Sequence, residues 1–190
     1  MFGRIADNKF QQGAATMRNF VAKQQGPDQN RLGFAFVREV KDSTKPTRLL
    51  SFTFNTTQTM VLEFGHEYFR FHTQGQTLFY NDGGAWNGGT NYNVGDIAKQ
   101  GGVNYYAKTA HSNSQPPSAN WYAMPTNPNI YEIPHPYQQD AGQQELFDVN
   151  YVQSADVITI VHPSHAPREL RRLGATKWEL RVIDFGSPLA

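Results

Sequence analysis

The chain carries one strand pattern twice, in residues 50–64 and 146–161. Each copy is an alternating strand, a polar turn with a glutamine (Gln58, Gln153) and a strongly apolar strand. Each then passes a histidine turn (His66, His162) into a third strand that carries arginine and ends in glycine (Gly75, Gly174). Side chains of a strand point to opposite faces in turn, so such segments bury one face and leave the other to solvent. A repeated multi-strand unit predicts an array of sheets, and arrays of this kind are more often scaffolds than catalysts.

The predicted strands follow from this period. In the first copy they are residues 48–54, with Leu50, Phe52 and Phe54 on one face, then 60–64, then a third strand with Tyr68, Phe69 and Phe71. In the second copy they are 146–152, 156–162, 168–173 and 178–185, with a turn at 163–167. Phe34, Phe36 and Val40 predict an edge strand before them. Four antiparallel strands in about 40 residues is the size of a propeller blade. The fourth strand of the first copy is either Leu78-Phe79-Tyr80 or the segment around Ile130, with residues 81–128 inserted. Residues 1–30 read as a helical arm, because Phe10, Ala14, Met17, Phe20 and Val21 recur at spacings of three and four before Gly26-Pro27 stops the run. The expected fold is mainly β: antiparallel blade-like sheets over 31–80 and 129–190, a small inserted β module at 81–128 and a short N-terminal helix. Closed propellers have roughly 4–8 blades. Two blades therefore imply either a piece of a longer protein or an open sandwich, and a last strand ending at Phe185-Gly186 fits a cut at a blade boundary.

Composition narrows the function. With a net charge of +1, nothing invites nucleic acid or anionic membrane over the whole surface. The absence of cysteine excludes disulfides, thiolate metal sites and cysteine nucleophiles. No stretch approaches the roughly 18 apolar residues of a membrane-spanning helix, so membrane insertion is not expected.

The inserted segment has the sharpest local motif. Ala85-Trp86, Tyr92, Val94-Gly95-Asp96, Gly102, Tyr105-Tyr106-Ala107, Pro116-Pro117 and Trp121 follow in order. In order and spacing this resembles the small chitin-binding modules of carbohydrate-binding families five and twelve. The resemblance implies a glycan-binding set of Trp86, Tyr92, Tyr105, Tyr106 and Trp121. On the residues alone, the same aromatics also serve as the core of a module with little else to bury. Tyr105, alternating with Tyr106, is the one expected on the open face.

Other chemistry is weaker. His162-Pro-Ser-His165 has a metal-like look, but no third ligand stands at a convincing spacing, so neither a metal nor another cofactor is expected. Ser154, Asp156 and His162 lack a nucleophile elbow, and Glu63, Glu67 and Asp82 are too scattered for an acid–base pair; no catalytic residue is nominated. There is no phosphate-binding loop. Arg168, Arg171, Arg172, Lys177 and Arg181 read first as partners of Glu169, Glu179 and Asp184, and only second as a strip for DNA phosphates.

A wider series of motifs runs along the chain: Phe2-Gly-Arg4, Met17-Arg-Asn-Phe20, Asn30-Arg31, Gly33, Phe36-Val37 and 39–43. It continues through Thr47-Arg48-Leu49, Phe52, Phe54, 61–65, Arg70, 146–156, Val161-His-Pro163, Pro167-Arg168 and Trp178. Outside the insertion the chain resembles the N-terminal part of the tail nozzle, or tail-tube, proteins of short-tailed phages, with Leu32 where that pattern has proline. The resemblance implies a non-catalytic virion component: a homo-oligomeric ring below the portal and tail adaptor, with a propeller-like domain, through which phage DNA passes. It also implies that small inserted domains are decorations; the chitin-binding resemblance of the insertion gives the alternative, a bacterial surface glycan as partner.

Overall fold

A computed structural model, which describes residues 18–21, 29–53, 55 and 59–186, divides the chain between Phe36 and Val37 into two compact units. In the first, β1 (Phe20–Val21) pairs antiparallel with β2 (Gln29–Asn30). The Arg31 amide donates to the Asn19 carbonyl at 2.9 Å, and its guanidinium lies 4.7 Å from the centre of the Phe34 ring. Most of the expected helix lies outside the described residues. Its last two positions are strand, since Phe20 and Val21 find an extended partner in β2. The expected edge strand at Phe34, Phe36 and Val40 is not formed: these residues have no ladder partner among the described residues, and Phe34 and Phe36 are 89% and 84% exposed.

The second unit is built on two antiparallel sheets. The first contains β3 (Arg48–Thr53), β4 (Thr59–Gly65) and β5 (Tyr68–Thr73), with β6 (Gln76–Thr77) folded back on β5. The chain then leaves for the inserted segment, whose strands are β7 (Gly84–Ala85), β8 (Asn91–Tyr92), β9 (Ile97–Gln100), β10 (Val103–Ala107), β11 (His111–Ser112) and β12 (Trp121–Ala123). It returns as β13 (Glu132–Pro134), which pairs with β5 and gives the order β13-β5-β4-β3. Of the two candidates for the fourth strand, the segment around Ile130 supplies it, while Phe79 makes only an isolated bridge to Ile130. Pro134 is tolerated because β13 is an edge, where one side of the backbone needs no ladder partner.

A one-turn helix α1 (Glu145–Asp148) leads into the second sheet, β14 (Asn150–Ser154), β15 (Val157–His162), β16 (His165–Gly174) and β17 (Lys177–Val182), in sequential order. The strand expected at 146–152 therefore begins late. Leu146 packs into the core from the helical turn instead. The expected turn at 163–167 tightens to Pro163-Ser164, and His165 already belongs to β16. Gln153 lies on β14 rather than in the turn, and its carboxamide accepts from the Thr53 amide at 3.1 Å and donates to the Thr53 carbonyl at 2.7 Å. It thus stands in for a strand at the end of β3's free edge.

The inner faces of the two sheets share one core. Leu50, Phe52, Leu62, Phe64, Phe69 and Phe71 meet Ile158, Ile160, Leu170 and Trp178. Trp178 lies 4.9 Å from Phe52 and 4.5 Å from Phe71, centre to centre. Each such side chain stabilises the fold by about 1.5–3 kcal/mol relative to exposure. The structure is thus mainly β with several antiparallel sheets, and among the described residues no closed barrel or propeller is formed.

Candidate functional site

The inserted segment forms a sheet in the order β12-β10-β9-β7, with β8 and β11 paired beside it. Alternation gives this sheet two different faces. Tyr106 and Ile97, a register pair, point into the core shared by the main sheets, as does Tyr122. Ala98, Ala107 and Trp121 build a separate small core with Tyr92, against which Trp86 and Tyr105 pack.

The five aromatics of the motif therefore divide. Tyr106 is 2% exposed, and its hydroxyl donates to the Trp178 carbonyl at 2.9 Å. The Tyr131 hydroxyl accepts from the Trp178 amide, also at 2.9 Å, so two tyrosines satisfy this part of β17's free edge. Burial raises the Tyr106 pKa well above its ordinary value and keeps the phenol a donor. Tyr92 and Trp121 are buried 5.0 Å apart, with the Trp121 indole donating to the Ser114 carbonyl at 2.7 Å. Trp86 and Tyr105 alone of the five are partly exposed. The expected open face at Tyr105 is half covered, because the sheet packs on both sides. The Gly95-Asp96 turn has a structural job: Gly95 has φ +89°, and a Cβ there would lie 3.0 Å from the Trp178 carbonyl oxygen. Asp96 accepts from the Asn93 amide and from Lys177, each at 2.8 Å.

A second polar constellation, not foreseen from the sequence, lies on the outer face of the first sheet. Glu63, Arg70 and Glu132 are register partners on β4, β5 and β13, so they form a row across three strands. Arg70 Nε donates to Glu132 Oε2 at 2.8 Å, and its Nη1 lies 3.9 Å from Glu63 Oε1. Lys41 reaches Glu132 at 2.6 Å, and the Tyr122 hydroxyl also donates to Glu132. Tyr68 donates to Glu63 at 2.5 Å and accepts from the Lys41 amide at 3.2 Å, while His72 Nε2 lies 3.0 Å from Glu63. Burial pushes the Glu63 pKa up, but His72, Tyr68 and Arg70 outweigh it and hold the carboxyl below its ordinary value. Gly65 makes room for this group, since a Cβ there would fall 2.2 Å from the Tyr68 ring. A cleft of about 440 Å³ opens beside the row, lined by Lys41, Asp42, His66, Glu67, Tyr68 and Tyr122.

The remaining candidates have partners elsewhere. Asp82 is held by Lys99 at 2.5 Å, and Glu67 accepts from Gln138 at 3.1 Å. Glu63, Glu67 and Asp82 therefore have separate sets of partners. Asp156 faces Arg172 at 3.9 Å. Of the basic residues, Arg181 pairs with Glu169 at 2.9 Å, Arg171 with Glu179 at 3.7 Å and Lys177 with Asp96 at 2.8 Å. Asp184 instead accepts from the Gly186 amide at 2.9 Å. The histidine pair gains a third group that sequence spacing did not reveal: Glu145 on α1 lies 2.9 Å from His165 Nε2. Among the described residues, no helix is long and apolar enough to cross a membrane. No protein-family model matches this chain, and no curated protein matches it.

Proposed function

We propose that this chain is a non-catalytic structural component of a short-tailed phage tail, forming blade-like sheets of a nozzle ring through which DNA passes. The observation that carries the reading is the pair of antiparallel sheets, one of five strands and one of four, with one aromatic core, the first interrupted between β6 and β13 by the inserted segment. The motifs outside that segment supply the nozzle resemblance, and the ring, the portal and adaptor contacts and the virion location follow from that resemblance. Apolar side chains left exposed at Leu49, Val61, Phe147, Val152 and Leu173 offer surface for neighbouring chains to cover. Sedimentation velocity and negative-stain imaging of the purified chain test this. Rings, or concentration-dependent assembly toward them, are expected. A monomer at every concentration that also fails to join a portal–adaptor assembly overturns it.

A second reading gives the inserted segment a glycan-binding role, favoured by the partial exposure of Trp86 and Tyr105 beside one small aromatic core. A sugar ring stacks on an accessible aromatic face, which confines the contact to these two residues. Retention on immobilised chitin or bacterial surface polysaccharide, abolished in Trp86→Ala/Tyr105→Ala, is the expected result. Equal elution of wild type and variant in the presence and absence of the polysaccharide rejects it.

A further inference from the structure

We propose that Glu145, His162 and His165 bind one borderline divalent transition-metal ion, of which zinc is the reference. The three come from two places. Glu145 stands on α1, which joins the two sheets, and the histidines flank the Pro163-Ser164 turn between β15 and β16. One ligand atom from each lies within 4.8 Å of the other two, and the imidazole centres are 5.0 Å apart. Bonds of about 2.0–2.2 Å in a tetrahedral site place ligand atoms roughly 3.3 Å apart, so a closure of at most about 1.5 Å completes the set. Two imidazoles and one carboxylate suit zinc, cobalt or nickel, whereas magnesium and calcium prefer oxygen alone.

Two further observations point to a ligand. His162 Nε2 is buried and has no hydrogen-bond partner among the described residues, and the buried Tyr137 hydroxyl likewise has none. The Tyr137 ring packs edge-on against both imidazoles, 5.8 Å from His162 and 5.0 Å from His165. A buried polar atom without a partner costs about 1–3 kcal/mol, so a ligand that engages it is favoured. Glu145 is already oriented by the Gln138 amide, which donates to Oε2 at 2.8 Å, the outer support that metal-binding carboxylates commonly have.

The metal-free hydrogen bonds define what must change. The Ser164 amide donates to His162 Nδ1 at 3.0 Å, so a neutral His162 carries its proton on Nε2. Coordination through Nε2 moves that proton to Nδ1 and turns the Ser164 amide to solvent, which is accessible because Ser164 is exposed. His165 Nε2, which donates to Glu145 at 2.9 Å in the metal-free chain, must likewise pass its proton to Nδ1 before it can bind the ion. With both rings starting neutral, the two tautomer changes release no proton. They sacrifice two hydrogen bonds, that of Ser164 worth about 0.5–1.5 kcal/mol and that of His165 with Glu145, each replaced by a bond to the ion.

Calorimetric titration of the tag-free, chelator-treated full chain with zinc chloride tests the site. One saturable zinc per chain with micromolar or tighter affinity is expected, uncompeted by excess magnesium. Affinity should fall at least about tenfold in His165→Ala, His162→Ala and Glu145→Gln, since even loss of an outer partner of a ligand costs about 10–100-fold. Nitrogen-detected imidazole spectra of wild type provide a readout independent of any variant's folding: zinc should convert His162 from the Nε2–H to the Nδ1–H tautomer and shift the Ser164 amide. No saturable binding, affinity unchanged in all three variants, or a His162 tautomer unmoved at saturation overturns the proposal.

Discussion

The row Glu63–Arg70–Glu132 and the cluster Glu145–His162–His165 are made of similar parts and sit at similar junctions, yet they are finished differently. The row lies deep, with Glu63, Arg70 and Glu132 between 0% and 6% exposed. Both of its carboxylates have a guanidinium and at least one hydroxyl as partners. The cluster is only partly buried and leaves a ring nitrogen with no hydrogen-bond partner among the described residues. A closed network fixes geometry, because each member is satisfied only in one arrangement. An open one leaves bonding capacity for something else. The row also joins distant pieces of chain: Lys41 from the segment before β3 and Tyr122 from the inserted sheet both end on Glu132. It therefore orients the insertion on the first sheet, while Tyr106 and Asp96 tie the insertion to β17.

Breaking the row should have the largest effect. Arg70→Met takes the guanidinium from two buried carboxylates, leaving Glu132 with Lys41 and Tyr122 and Glu63 with Tyr68 and His72, and is expected to cost up to about 3–5 kcal/mol in urea unfolding. The triple change Glu63→Leu/Arg70→Met/Glu132→Leu should recover most of that loss, because desolvating the charges offsets much of their attraction. A triple variant as unstable as Arg70→Met would show that the row has a role beyond mutual compensation.

Acid should separate the closed parts of the fold next. His135 is buried, donating from Nε2 to the Tyr68 carbonyl at 2.9 Å and accepting at Nδ1 from the Tyr137 amide at 3.1 Å. Burial lowers its pKa from 6.5 to about 3, against the opposing pull of the backbone carbonyls. The unfolded chain then binds a proton that the folded one refuses. Stability is full above the unfolded value and should fall by about 1.4 kcal/mol per pH unit as pH drops from 6.5 toward 3. Glu63, held below its ordinary value, adds loss of the same sign as pH falls through its folded pKa. Urea midpoints across this range should decline more shallowly in His135→Gln; equal slopes would remove His135 as the cause.

Two smaller effects sharpen the contrast between buried and surface ties. Tyr122→Phe removes the hydroxyl from Glu132 and should cost about 1–2 kcal/mol, seen as a lower melting temperature and faster proteolysis within 81–128. Lys177→Ala breaks a pair in which the lysine side chain is 47% exposed, and should cost less than about 1 kcal/mol, with the difference vanishing in high salt.

Much of the scaffold was legible because strand alternation is local. Leu50 and Phe52 point inward while Leu49 and Ser51 point out, and Ile158 and Ile160 repeat the rule on β15. The same rule misled at Phe34, Phe36 and Val40, where alternation exists but no strand among the described residues supplies a ladder. It misled again at Leu146, where one helical turn buries the side chain equally well. The charged row was illegible because Glu63, Arg70 and Glu132 meet only through cross-strand register, and β13 arrives after a long excursion. Glu145 escaped notice for a related reason: it reaches His165 from another element.

The residues alone determined a mainly β chain, a doubled sheet pattern and an aromatic inserted segment, since periodicity, turn residues and composition act over a few positions. Tertiary structure alone decided which aromatics close the core, which carboxylates lose their freedom to a buried arginine, and which histidine nitrogens, at His111 and His162, find no partner among the described residues. Those outcomes depend on register and burial, and both are set only when distant strands pair and shed water together.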